Sequence, residues 1–228
     1  AEDHLVFDLA VHAAAVEPHR AAIDDMAGHL AANLHLDAAM FGWAVRTGQE
    51  RVLYLSSSAA DPIYLQNGWR RSLREDDVDL SDVEQPDAGY GWAKLTGERM
   101  AADAAKAGLR VHVVRPFSGY GEDQDGRFPF GAFAARAKRR DDPFAIWGDG
   151  TQVRDWLHID DLVAGALAVV DADERRPVNL CTGVGTSLVE LAELVCKQAD
   201  YSPEFEFRRD APSGVAYRVG DPARMLDL

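Results

Sequence analysis

Cysteine is scarce in this chain of 228 residues: Cys181 and Cys196 are the only two. They are too few for a disulfide framework, and their spacing fits no zinc motif. Long apolar runs are missing as well. No stretch approaches the roughly 20 apolar residues of a membrane span, so no membrane partner is expected. The first twenty residues, AEDHLVFDLAVHAAAVEPHR, put no basic stretch ahead of their apolar run and do not read as a signal peptide. The cytoplasm is the expected compartment. Positive charge is in deficit, with 24 Lys and Arg against 38 Asp and Glu and a formal net charge of −14. A nucleic-acid binder must neutralise phosphates, so that class is excluded. An anionic small substrate is not, because a few arginines can dominate one pocket. The basic clusters, Arg70-Arg71, Lys138-Arg139-Arg140, Arg175-Arg176 and Arg208-Arg209, are short and read as solvated faces. No two histidines sit at a helical i,i+4 spacing with an acidic partner, so no metal site is expected.

What is present is an alternation of strand and helix patterns. Apolar residues make up 47% of the chain and charged residues 27%, ordinary for a globular protein with a sizeable core. The run LVFDLAVHAA (5–14) predicts a strand buried on both faces. Apolar Ile23, Met26, Leu30, Leu34, Ala38, Phe41 and Val45 predict a helix over 22–46, stopped by Gly48. RVLYLSS (51–57) reads as a strand, 59–87 as irregular, 90–108 as a helix ended by Gly108, and RVHVVRP (110–116) as a strand. Beyond these come a helix near 129–140, a helix over 160–171 and a strand over 177–183. A Ser187/Glu190 capping box then opens a helix over 188–199, and EFEFR (204–208) alternates like a strand. The order predicts an α/β fold with a doubly wound parallel sheet and right-handed crossovers.

Four segments carry residues suited to chemistry. Tyr90 and Lys94 lie one helical turn apart on one face. An ammonium beside a phenol favours the phenolate and makes it a usable base. Ser56-Ser57-Ser58 follows the strand RVLYL, where ligands bind in parallel sheets. RPFSGYG (115–121) again follows a strand. In GDGTQVRDWLHIDDL (148–162), Arg154 is placed between a glycine turn and a helix start. Trp147, Val153 and Trp156 hem it in, a setting suited to a half-buried anion contact.

Taken in order, VHAAA (11–15), Asn33, YLSSSAA (54–60), YGWAKLTGE (90–98), RPFSGYG, the 148–162 segment and NLCTGVGTSLVEL (179–191) resemble the extended short-chain dehydrogenase/reductases of the nucleotide-sugar epimerase type. The resemblance runs from about residue 5 to about residue 200. It implies a Rossmann-like fold lacking its first βαβ units, with NAD as cofactor, a nucleotide-diphosphate sugar as substrate and a homodimer as assembly. It also implies an NAD-binding region over 1–117 and a mainly substrate-binding region over 118–228, with 156–183 returning to the Rossmann sheet. By position, Tyr90 matches the catalytic base, Lys94 the residue that binds the nicotinamide ribose and tunes that tyrosine, and Ser58 the partner of the sugar hydroxyl. Ala14 and Ala15 match the backbone under the cofactor, and Asn33 a helix residue supporting that loop. Pro116 and Phe117 match positions beside the nicotinamide, and Arg154 the arginine on the substrate diphosphate. Ser118, a shorter side chain, stands where the family has asparagine, and Ala60-Asp61-Pro62 replaces a tyrosine-bearing stretch.

The activity implied is epimerisation, at C4 above all, through a keto intermediate. Dehydration would need an acid and a base directly after the serines. Those positions are Ala59 and Ala60, and Asp61 is one residue too far along. A reductase and a non-catalytic truncated binding or assembly module are the alternatives. The module gains from one absence: nothing here corresponds to the glycine-rich turn that receives the NAD pyrophosphate at a helix N-terminus. Gly183-Val184-Gly185 lacks the third glycine and the acidic residue beyond it. The chain also stops soon after RVGDPARM (218–225), where the family runs on. The expectation is therefore weak NAD binding, no turnover by this chain alone, and association through an uncovered edge at 5–14.

Overall fold

The computed structural model describes residues 5–16, 25–67, 70–78, 88–211 and 214–228. Its first sheet contains β1 (Ala10–His12), β2 (Arg51–Leu55), β3 (Arg110–Pro116) and β7 (Val178–Leu180), parallel and in the order β1-β2-β3-β7. Val52, Tyr54, Val111 and Val113 point to one face, where α1 (Met26–Thr47) and α3 (Ala88–Lys106) pack through Phe41, Ala44, Ala101 and Ala104. Leu53, Val114, Val178 and Leu180 meet α5 (Ile159–Asp171) on the other side. Because both faces are covered, these strands read as continuous apolar runs rather than alternations. Parallel strands with helices on both faces form the doubly wound architecture expected. No helix among the described residues is long and apolar enough to cross a membrane.

Local chemistry sets the helix ends. The Asp25 side chain caps α1 by accepting from Gly28 N at 2.9 Å, and Gly48 ends it at φ +67°, a conformation glycine adopts without strain. Residues 22–24 of the expected first helix lie outside the described residues. Ser187 and Glu190 form the predicted capping box at the start of α6 (Leu188–Gln198).

The strand expected over 5–14 is corrected. Only Ala10–His12 pairs, with β2, and Leu5, Val6 and Phe7 are exposed. Among the described residues β2 is the segment's one strand neighbour, and the side chains of Leu5, Val6, Phe7 and Val11 are left uncovered. Its start is held by a side chain instead: Phe7 N donates to Gln49 Oε1, and Gln49 Nε2 donates to Leu5 O, both at 2.8 Å. Among the described residues β1 is an edge, with Val11 outward.

A smaller α/β region beside the main sheet was expected, and so was a strand at 204–208, but the other short strands of this region were not foreseen. β4 (Ser118–Tyr120), β6 (Val153–His158) and β10 (Tyr217–Arg218) form a parallel sheet, with β8 (Gly185–Ser187) antiparallel on β6. Arg154 does stand between the glycine turn at 148–150 and the start of α5, but on a strand, β6, that the sequence did not announce. β5 (Phe144–Trp147) pairs with β9 (Phe205–Arg208). Against them α4 (Pro129–Arg139) and α6 bury Phe133, Phe144, Ile146, Leu188 and Leu191.

Under α1 and α3 lies a polar cluster. Asp37 Oδ1 is 2.8 Å from His12 Nε2, and Tyr54 donates to Asp37 Oδ2 at 2.9 Å, all three side chains buried. Burial and the adjacent Asp37 push the Tyr54 phenol far up, so it stays a neutral donor. The backbone of α3 reaches this cluster at Gly97, where a Cβ would lie 1.9 Å from Tyr54 Oη and 2.5 Å from Asp37 Oδ2. Gly97→Ala should destabilise the protein by about 2–3 kcal/mol. Gly42→Ala, whose new Cβ meets only the end of Arg46 at 3.0 Å, should be neutral or stabilise by up to about 1 kcal/mol. Urea unfolding of the two variants checks the contrast.

Candidate active site

At the carboxyl ends of β2 and β3 the chain turns away from the sheet and opens a cavity of about 890 Å³. Its wall includes Ser56, Ser57, Ser58 and Ala59 after β2; Pro116 at the end of β3 with Phe117 and Ser118 beyond it; and Tyr90 and Lys94 from α3. The reacting groups expected from sequence thus face one space. Lys94 is buried, and its Nζ donates to Leu55 O at 2.8 Å. That ammonium is 5.1 Å from the Tyr54 ring centre and 5.7 Å from the Tyr90 ring centre, so two aromatic faces offset its desolvation.

One turn below Lys94, Glu98 joins the three segments. Its Oε1 accepts from Ser56 Oγ at 2.5 Å and from Arg115 Nε at 2.8 Å, and its Oε2 accepts from Arg115 Nη2 at 2.7 Å. Arg115 Nη1 donates to Glu75 O at 3.0 Å. Burial alone would lower the Arg115 guanidinium, but Glu98 and its neighbouring carboxylates more than offset that and hold it above its usual range.

The cofactor-side positions divide. Asn33, buried on α1, accepts from Val16 N through Oδ1 and donates to Val16 O through Nδ2, both at 2.9 Å. It clamps the loop after β1. Ala15 lines the cavity, but Ala14 does not; Ala13 does. Ala14, expected to act through its backbone, stands between these two lining residues.

Arg154 reaches the cavity from β6, and beside it, paired in register on β10, so does Arg218. Arg154 Nη1 donates to Val153 O at 2.8 Å, and Arg218 Nε donates to Gln66 Oε1 at 2.5 Å. Arg218, Arg127, Gln124 and His29 also line the space and were missed in the sequence. Arg218 had a signal, since it opens the RVGDPARM segment. Next to Arg154, the buried Asp155 accepts from Thr182 N (2.7 Å), Thr182 Oγ1 (2.6 Å), Gly183 N (2.9 Å) and Gly220 N (3.3 Å). The Gly183 N–H already donates to that carboxylate, and β8 follows, so 183–185 is no phosphate cradle.

Asp61 is fully buried behind the serine loop and is not part of the cavity wall. Among the described residues neither of its carboxylate oxygens has a hydrogen-bond partner, and Arg115 Nη1 is 3.9 Å away, too far for one. Desolvation outweighs that cation and raises the carboxyl to about 7.

The chain is similar to known proteins. A model of the family described as "NAD dependent epimerase/dehydratase family" matches residues 2–181. GDP-mannose 3,5-epimerase 1 of Oryza sativa subsp. indica is 32% identical over 186 residues, 76% of this chain and 46% of that protein. UDP-glucuronic acid decarboxylase 1 of Arabidopsis thaliana is 35% identical over 123 residues, 52% of this chain and 28% of that protein. Among solved structures, MoeE5 in complex with UDP-glucuronic acid and NAD is 25% identical with a TM-score of 0.82, covering 96% of this chain and 72% of that one. The chain spans about half the length of the first curated relatives it matches, 46% of the rice protein.

The buried Asp61 makes stability depend on pH. Its folded-state value of about 7 lies above an unfolded value of about 3.9, so between the two the folded state keeps a proton the unfolded state has released. The contribution of Asp61 to stability is therefore fully present below about pH 4 and is lost as pH rises toward and through about 7. Asp61→Asn should remove that slope, gaining on the order of a few kcal/mol over the parent at pH 8 and little at pH 4. Unfolding curves that shift in parallel at both pH values would show instead that Asp61 is ionised and paired.

Proposed function

The chain belongs to the NAD dependent epimerase/dehydratase family, and from that premise we propose that it carries the site for reversible oxidation of a nucleotide-diphosphate sugar, most specifically C4 epimerisation. The observation that carries the reading is the shared cavity wall of Ser58, Tyr90 and Lys94. Tyr90, as phenolate, takes the proton of the sugar hydroxyl while Ser58 orients that hydroxyl. The Lys94 ammonium, 5.7 Å from the tyrosine ring centre, favours the ionised phenol. The sugar passes through a keto state, and Tyr90 returns the proton after the other face is presented. Arg154 and Arg218, side by side, bind the diphosphate, and Ser118 contacts the sugar. The names of the relatives support a nucleotide sugar: one acts on GDP-mannose, another on UDP-glucuronic acid.

Bound NAD would supply the two-electron oxidation and its reversal. The residues present suit its nicotinamide half: Lys94, Tyr90, Pro116, Phe117 and the backbone at Ala15, with Asn33 holding the loop through Val16. For the pyrophosphate half, no glycine-rich turn stands at a helix start among the described residues. We assign 1–117 to the cofactor side and 118–228 to the substrate side; pairing of β7 with β3 supports a return of 156–183 to the first sheet. A cytoplasmic homodimer is the assembly this reading carries.

Epimerisation is favoured over dehydration because Ala59 and Ala60 cannot transfer protons and Asp61 lies behind the wall. Joined to a segment bearing the glycine turn, and given NAD with a UDP- or GDP-hexose, the protein should interconvert C4 epimers without releasing water. Tyr90→Phe should lower kcat by about 10³-fold while sparing substrate affinity. A 4-keto-6-deoxy product would mean that dehydration is the reaction. Calorimetry on the 228-residue chain itself should find NAD binding weaker than micromolar, because several charge-assisted hydrogen bonds of about 1.5–3 kcal/mol each are missing. Micromolar affinity would show that another segment replaces the turn.

A further inference from the structure

The chain leaves β2 for the serine loop and then α2 (Tyr64–Asn67), so Tyr54 is the last residue on the α1 and α3 face before the strand ends at Leu55. Its side chain is fully buried and meets α3 at two points one turn apart. At the hydroxyl stands Gly97, whose lack of a side chain leaves room for Tyr54 Oη and Asp37 Oδ2. Over the ring stands Lys94, its Nζ 5.1 Å from the ring centre. The hydroxyl donates to Asp37 Oδ2 at 2.9 Å, and His12 Nε2 is 2.8 Å from Asp37 Oδ1. The ionisable groups around the ring are thus His12 on β1, Asp37 on α1, and Tyr90, Lys94 and Glu98 on α3. Burial, and after it Asp37, holds the Tyr54 phenol far above its usual range, so it serves as an uncharged donor.

An ammonium over an aromatic face is attracted by the negative charge of the π cloud, most strongly where water is excluded. A phenol that donates to a carboxylate is polarised by it, and its ring face becomes more negative. We propose that Tyr54, oriented by Asp37, is a positioning residue that keeps the Lys94 ammonium at the Tyr90 ring. That role rests on the reading of Tyr90 as the base and of Lys94 as the group that favours its phenolate. Tyr54 is one of several contacts of Lys94, and substitution reads its share by difference. A leucine would fill the same core; what tyrosine adds is a polarised face beneath a cation.

The test is carbon-13 NMR titration of the 228-residue chain labelled at tyrosine Cζ, over the pH range in which circular dichroism shows it folded. The Tyr90 signal is the one lost in Tyr90→Phe. Lys94→Met is the reference and should raise the midpoint of Tyr90 ionisation by more than any variant at position 54. Tyr54→Leu should raise it by about one pH unit, about tenfold less phenolate at neutral pH. Tyr54→Phe keeps the ring but loses the bond to Asp37, and should raise it by less. Phe41, whose ring centre is 5.4 Å from that of Tyr54, supplies the packing control. Phe41→Leu loosens the same cluster and should lower Tm while leaving the midpoint where it is. If Tyr90 titrates no lower than an ordinary phenol, about 10, or if Lys94→Met leaves its midpoint unchanged, the reading of the Tyr90 and Lys94 pair fails and the role of Tyr54 fails with it. If Lys94→Met raises the midpoint but Tyr54→Phe titrates like the parent, the pair stands and the role of Tyr54 is overturned; that comparison decides alone should Tyr54→Leu not fold. A midpoint raised as far by Phe41→Leu as by Tyr54→Leu would make Tyr54 a packing residue only.

Discussion

Arg115 brings a full charge to the carboxyl end of β3, beneath the cavity floor, where water does not reach. An isolated guanidinium could not stay there; removing one partner of such a pair generally costs about 3–5 kcal/mol. It stays because Glu98 faces it with both oxygens and Glu75 adds a backbone carbonyl. The pair has a geometric result beyond its own energy. Glu98 stands on the helix that bears Tyr90 and Lys94, Arg115 stands one residue before the end of the strand that leads to Ser118, and Ser56, bonded to Glu98, opens the serine loop. Three chain segments far apart in sequence are thereby indexed to one another within hydrogen-bond tolerance.

Asp155 plays the matching part on the other side. Its four accepted bonds gather the end of β7, the turn at Gly183 and the backbone at Gly220 around the strand bearing Arg154. That brings 217–218 into register with 153–154 and so sets Arg218 beside Arg154. A buried carboxylate thus organises the basic end of the cavity without pairing with either arginine in those bonds.

The parts legible in the sequence are those whose signal is local. α1, α3 and α6 carry apolar spacing and caps within a few residues, and β2 and β3 are apolar runs bounded by turns. The serines, Tyr90 and Lys94 were legible because position after a strand and one-turn spacing are themselves sequence facts. The short strands β4, β6, β8 and β10 were not, since two to six half-buried residues give too little periodicity to separate from loop. The run at 5–14 misled for a related reason: its apolar content is that of a central strand, but its neighbours decide its burial. Arg218 and Gln66 are 152 positions apart, and no local pattern announces a bond of that span.

Asn33 reads the loop after β1 through main-chain atoms alone, accepting from the N–H of Val16 and donating to its carbonyl. Any side chain could stand at 16 and present the same two groups, proline excepted. Asn33 has no such latitude, because aspartate lacks the donor and glutamine is a methylene too long. Mutational drift is therefore licensed at the held position and forbidden at the holder. A catalogue of tolerated substitutions across this loop would locate its functional constraint not in the loop but 17 residues away, on the helix.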